Sequence, residues 1–269
     1  MISKQLLSRL LFSNLLLSVL LHGASMAAKS SNLEAKPTID TAVSNLVELL
    51  PGVYDVPIVL SQSLEGRREE FRQDMIKAQA RLRVFANRNG WQKLTDAPFI
   101  KQVEIYDTKD GWDNRMRQFY ATDAPAEIPK TFSAAIEKEV FFSVSPEVYF
   151  ANYPDGRLEP DAFIKLMTHE LAHRLHVRIC KGDEERMGPI WFFEGFAIYA
   201  ADQLNLNKPK LTEADIWSIV DAKERGSYKK YNVVFRHFLR GMSLPEYVEK
   251  AGEQHFTEWL KTRTLVKDN

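Results

Sequence analysis

The segment that most restricts this chain is His169-Glu170-Leu171-Ala172-His173. It lies in a stretch where Phe163, Leu166, Met167, Leu171, Leu175 and Val177 recur at helical spacing with no proline after Pro160. Histidines four apart on a helix project from one face, about 40° apart around the axis. Neutral imidazoles so placed can bind one zinc ion, which accepts a mixed nitrogen and oxygen set with one position left open. Glu170 stands beside the first histidine, where it can reach a water on that metal, take its proton and pass it to a leaving amine. The pattern arises by chance in on the order of one chain in a hundred of this size, so a second observation is needed.

The run from Trp191 to Tyr199 supplies one. Glu194 is its single charged residue, set among Trp191, Phe192, Phe193, Phe196, Ala197, Ile198 and Tyr199. A carboxylate buried there is costly unless it is paired or bound to a cation, which makes it the candidate third ligand. Gly195 would let two helices approach closely. The competing reading is an exposed glutamate at a helix start, favoured by the helix dipole. His176, three residues past His173, points away from a site shared by His169 and His173 and reads as a surface residue or one supporting the ligands. His237 and His255 have no supporting spacing and read as structural.

Hydrophobic residues make up 45 % and charged residues 27 % of the 269, as in a globular protein with a real core rather than a disordered or fibrous chain. Lys4 and Arg9, an apolar run from 10 to 21, and small residues up to Ala28 have the layout of a secretory signal peptide. Cleavage is expected after Ala27, followed by a flexible leader at 28–37. The run is short for an uncleaved anchor. Cleavage would remove two basic residues and no acid, leaving 34 basic against 36 acidic. That balance favours neither nucleic acid nor an anionic membrane as partner. Cys180 is the only cysteine, so no internal disulfide can form, and it reads as a packing residue.

The remaining chain, 38–269, reads as one α+β domain: a mixed subregion at 38–158 with a small sheet, then a mainly helical subregion at 159–269. Helices are predicted at 38–50, 64–89 and 110–120, and strands at 56–60, 103–107, 140–144 and 148–150. Further helices are predicted near 159–180, 189–203, 211–223, 228–240, 243–250 and 252–263. The charges at 67–70 read as a solvated helix face.

The two segments together resemble the gluzincin zinc metallopeptidases, most closely the aminopeptidase-type branch and its small relatives, in which Trp-x-x-Glu-Gly-x-Ala-x-Tyr recurs. The resemblance covers roughly residues 140–240. It implies a zincin-like fold, one Zn2+ held by His169, His173 and Glu194, and Glu170 as general base. It also implies a tyrosine on a later helix that stabilises the oxyanion: Tyr228, with Tyr231 as runner-up. The strand at 141–144 would border the cleft and pair with extended substrate. Two family features are missing. No Gly-x-Met-Glu-Asn stretch is present to bind a free amine, and Ile198 stands where the thermolysin branch has aspartate, so the groups orienting the histidines are unassigned.

The expectation is an exported, periplasmic or secreted peptidase that hydrolyses peptide or protein substrates with zinc-activated water. The rival is a peptide- or protein-binding module on a peptidase scaffold, with or without zinc. Substrate preference, endo- or exo-mode and oligomeric state are not encoded legibly.

Overall fold

The computed structural model describes residues 51–120 and 128–265; the expected signal peptide, leader and first helix lie outside them. Among the described residues the protein is α+β, with a four-stranded mixed sheet in the N-terminal half and helices in the C-terminal half. The strands are β1 (Ile58–Leu60), β2 (Gln102–Tyr106), β3 (Ala134–Glu137) and β4 (Val140–Val144), in the order β1-β2-β4-β3. β1, β2 and β4 run parallel, and β3 is antiparallel to β4.

Parallel neighbours require crossovers. The first is α1 (Arg68–Arg88), which buries Phe71, Met75, Ala78, Leu82 and Ala86 along one stripe. At its N-terminal end Arg67–Glu70 and Arg68–Glu65 form ion pairs facing solvent, as expected of a solvated surface. The second crossover contains α2 (Lys109–Tyr120), which covers the face of the sheet that carries Glu104 and Phe142. Trp112 and Phe119 stack on Phe142 at 5.6 and 5.0 Å, and Arg115 pairs with the buried Glu104 at 2.7 Å. The other face, with Val103, Ile105 and Phe141, is buried on the side of α1 and the long helix α4 (Ala162–Ile179).

Two strand predictions change. Residues 148–150 belong to a short helix, α3 (Pro146–Asn152), not to a strand. Pro146 occupies its first turn, where a fixed φ and a missing N–H favour a helix start. β3 was not foreseen, because Ala134-Ala135-Ile136-Glu137 has weak strand propensity and is held by pairing with β4. Lys138 and Glu139 join the pair with φ of 48° and 65°, the sign needed by a two-residue hairpin turn of the primed type. β4 is therefore hydrogen-bonded on both sides, and β3 is the sheet edge. The expectation that 141–144 pairs with substrate is corrected on that ground.

Beyond α4 come α5 (Ile190–Ala201), α6 (Glu213–Val220), α7 (Tyr228–Leu239), α8 (Leu244–Ala251) and α9 (Phe256–Leu265). α5 is apolar on every side and is accordingly enclosed, packing against α4 on one side and α7 on another. Gly195 sets the second approach: a Cβ there would lie 2.8 Å from Phe235 Cβ. None of the helices among the described residues is long and apolar enough to cross a membrane.

Candidate metal centre

α4 and α5 bring together three electron-rich atoms. His169 Nε2 and His173 Nε2 are 3.1 Å apart, and Glu194 Oε2 lies 3.2 Å from the first and 3.6 Å from the second. Donors about 2.05 Å from a tetrahedral zinc are separated by about 3.3 Å, so this triangle has the size of one tetrahedral face. Glu194 Oε2 is buried and has no well-formed hydrogen bond among the described residues, although both imidazoles are close. An orphaned carboxylate oxygen facing two nitrogens is unfavourable without a cation among them. The His-His-Glu set thus fits a zinc motif of the His-Glu-x-x-His…Glu kind and is placed as it would be to hold one metal ion.

Burial of the Glu194 carboxylate would raise its pKa, but the Arg225 charge and the two imidazoles outweigh this and hold it well below the ordinary range. It is ionised, only 1 % exposed, and its Oε1 accepts a 2.7 Å hydrogen bond from Arg225 Nη1. Burial lowers His173, which keeps that ring neutral and its lone pair available.

Glu170 lies one step round α4 and lines the cleft with His169, His173, Glu194 and Tyr228. Burial, only partly offset by His169, lifts its carboxyl to about 7. A carboxylate poised there matches the driving force wanted of a base near neutral pH. Tyr228 faces His169 with ring centroids 6.0 Å apart. Burial pushes its phenol well above the ordinary value, so the hydroxyl keeps its proton as a donor. Tyr231 is not among the residues that line the cleft, and its hydroxyl oxygen accepts from the Gly226 N–H.

Two residues at this site were missed by sequence reasoning. Gln203 Oε1 lies 2.9 Å from His169 Nδ1; accepting from that nitrogen leaves Nε2 as the lone-pair donor. The chain reaches this position through left-handed residues at Asp202 and Leu204, φ 54° and 57°. The buried Asn232 of α7 pins the turn by donating to the Gln203 and Leu204 carbonyls, and Glu159 accepts from the Leu204 N–H. Arg225 is the other. Among Lys223, Glu224 and Gly226 it reads as loop charge; the one available signal was that a buried Glu194 has a second oxygen to satisfy.

His176 is corrected from a surface or ligand-supporting residue to a core residue. It is 0 % exposed, lies 4.4 Å from the Phe196 ring, and neither ring nitrogen has a hydrogen-bond partner among the described residues. Cys180 packs with Val177, Met187 and Phe193, and burial raises its thiol to about 11, so it stays protonated and unreactive.

The cleft is walled by α4, β3 and the end of α2. Met116, Phe132, Ile136, Val177, Met187 and Phe193 give it an apolar lining, and Tyr120 donates to Glu137 at its side. No protein-family profile, curated protein or solved structure matches this chain.

Proposed function

We propose that this chain is an exported, monozinc metallopeptidase of gluzincin type that hydrolyses peptide bonds in peptide or protein substrates. The observation that carries the reading is the triangle of His169 Nε2, His173 Nε2 and Glu194 Oε2, sized for one tetrahedral face, beside a glutamate lifted to about 7. Zinc bound there would polarise a carbonyl and bring the pKa of a water close to about 7. Glu170 takes the proton of the attacking water and returns it to the leaving amine. Tyr228 donates to the carbonyl oxygen as charge develops on it. β3, unpaired on its outer side among the described residues, offers backbone N–H and C=O groups to an extended peptide. The apolar lining favours a substrate with a large apolar side chain near the scissile bond. The signal-peptide layout of residues 1–27 is what supports export.

One observation favours the second reading, a metal-free binding module. The Arg225 guanidinium already gives Glu194 a cationic partner. Metal analysis with a peptide-library digest separates the two. The peptidase reading expects about one zinc per chain, cut sites from the parent, and a Glu170→Gln variant that keeps zinc but loses at least about 100-fold in rate. A parent without metal, or with metal and no cut site, overturns it.

A further inference from the structure

We propose that Arg225 is a positioning residue that holds the third metal ligand and the oxyanion-stabilising tyrosine in one register; this rests on the zinc peptidase reading above. Arg225 Nη1 donates to Glu194 Oε1 at 2.7 Å and also to the Tyr228 hydroxyl oxygen. One nitrogen with two hydrogens therefore spans two groups that reach the cleft from different elements, α5 and α7. The Arg225 side chain is only 11 % exposed, and Nε and Nη2 have no partner among the described residues. A guanidinium buried with two of its three nitrogens unspent is costly, and what it gains in return is concentrated on the two bonds from Nη1.

Two consequences follow. Oε1 is occupied by Arg225, so Glu194 presents a single oxygen, Oε2, toward the histidines. A metal held by the two histidines would be met by Oε2, with Oε1 retained by Arg225. The Tyr228 oxygen accepts from Arg225, so the phenol proton is not spent on the arginine. The charged and titratable groups sharing this space include Glu194, Glu170, His169, His173 and Tyr228, with Glu137, Arg174 and Tyr120 further along the cleft and Tyr231 behind Arg225. Arg225 also lies over the rings of Tyr228 and Phe132, at 5.6 and 5.8 Å, which restrains the guanidinium in its plane.

The test compares the parent with Arg225→Met, Arg225→Lys and Tyr228→Phe, each loaded with Co2+ for visible spectroscopy and with Zn2+ for kinetics. Arg225→Met is expected to change the Co2+ spectrum as Glu194 gains freedom to bind through both oxygens. Its kcat should fall about 100-fold with KM within about threefold, and added guanidinium should restore part of that loss. Arg225→Lys, which keeps a charge on Glu194, should retain the parent's spectrum with an intermediate kcat. Tyr228→Phe should lower kcat and leave the spectrum unchanged. A folded Arg225→Met with the parent's spectrum and kcat overturns the proposal. If that variant does not fold, an Arg225→Lys whose Co2+ spectrum departs from the parent's, or whose kcat equals the parent's, overturns it equally. A parent that takes up no Co2+ removes the metal reading itself, before any substitution is compared. A parent that takes up Co2+ but cleaves nothing defeats the peptidase reading, while the spectra still decide what Arg225 does to Glu194.

Discussion

His176 shows how one side chain can set the acid limit of a fold. It is enclosed by Phe192 and Phe196, and burial takes its pKa down to about 3. The folded state thus binds its proton more weakly than the unfolded chain, whose histidine titrates near 6.5. The associated stability is complete above about pH 6.5 and is lost as pH falls from there toward 3, by up to ~1.4 kcal/mol per pH unit. His176→Leu should flatten that part of the acid unfolding profile, measured by urea titration at pH 4 to 7. At pH 7 it should cost little, because a buried imidazole without hydrogen bonds is itself unfavourable by roughly 1–3 kcal/mol. Gln203 acts in the opposite sense, on function more than on stability. Gln203→Leu removes the acceptor from His169 Nδ1, and zinc affinity in chelator competition should fall roughly 10- to 100-fold.

At the scale of elements, the site depends on how three helices meet. α4 carries the histidines, α5 the glutamate and α7 the tyrosine. Gly195 fixes the distance between α5 and α7, because any Cβ at this position meets Phe235 at 2.8 Å. Gly195→Ala should destabilise the protein by about 1–3 kcal/mol in chemical denaturation. It should also weaken zinc binding, since the displaced residue adjoins Glu194. An unchanged midpoint would mean that α7 gives way without cost. The sheet contributes through β3, its edge strand among the described residues, which packs beside α4 and brings Ile136 and Glu137 to the cleft.

For the whole molecule, a metal held by His169, His173 and Glu194 would tie α4 to α5 in a chain whose lone cysteine forms no disulfide. A ligand bound only by the folded state stabilises it by mass action, by ~2.7 kcal/mol at a hundred times its dissociation constant. For a domain of this size that corresponds to a melting temperature about 5–10 °C higher. Removing metal with a chelator should lower the melting temperature by that amount, and zinc should restore it. No shift on either step would mean that the triad does not bind metal in the folded state.

The histidine pair and Glu194 were legible because each rests on information within about ten residues. Helical period fixes the relative direction of His169, Glu170 and His173, and an unbroken apolar run forces Glu194 into the interior. Most helices were legible for the same reason, with α1 burying the stripe that Phe71, Met75, Ala78 and Leu82 mark out. Tertiary structure alone decided the rest. β3 exists because β4 pairs with it, against its own weak propensity. Gln203 reaches His169 through a turn held by Asn232 and Glu159, far away in the chain. Arg225 becomes Glu194's partner only because the loop before α7 folds over the end of α5's carboxylate. The sequence determines which groups must be buried and which way they point along a helix. Which distant groups satisfy them is decided by chain reversals and pairings whose energies belong to no single stretch of residues.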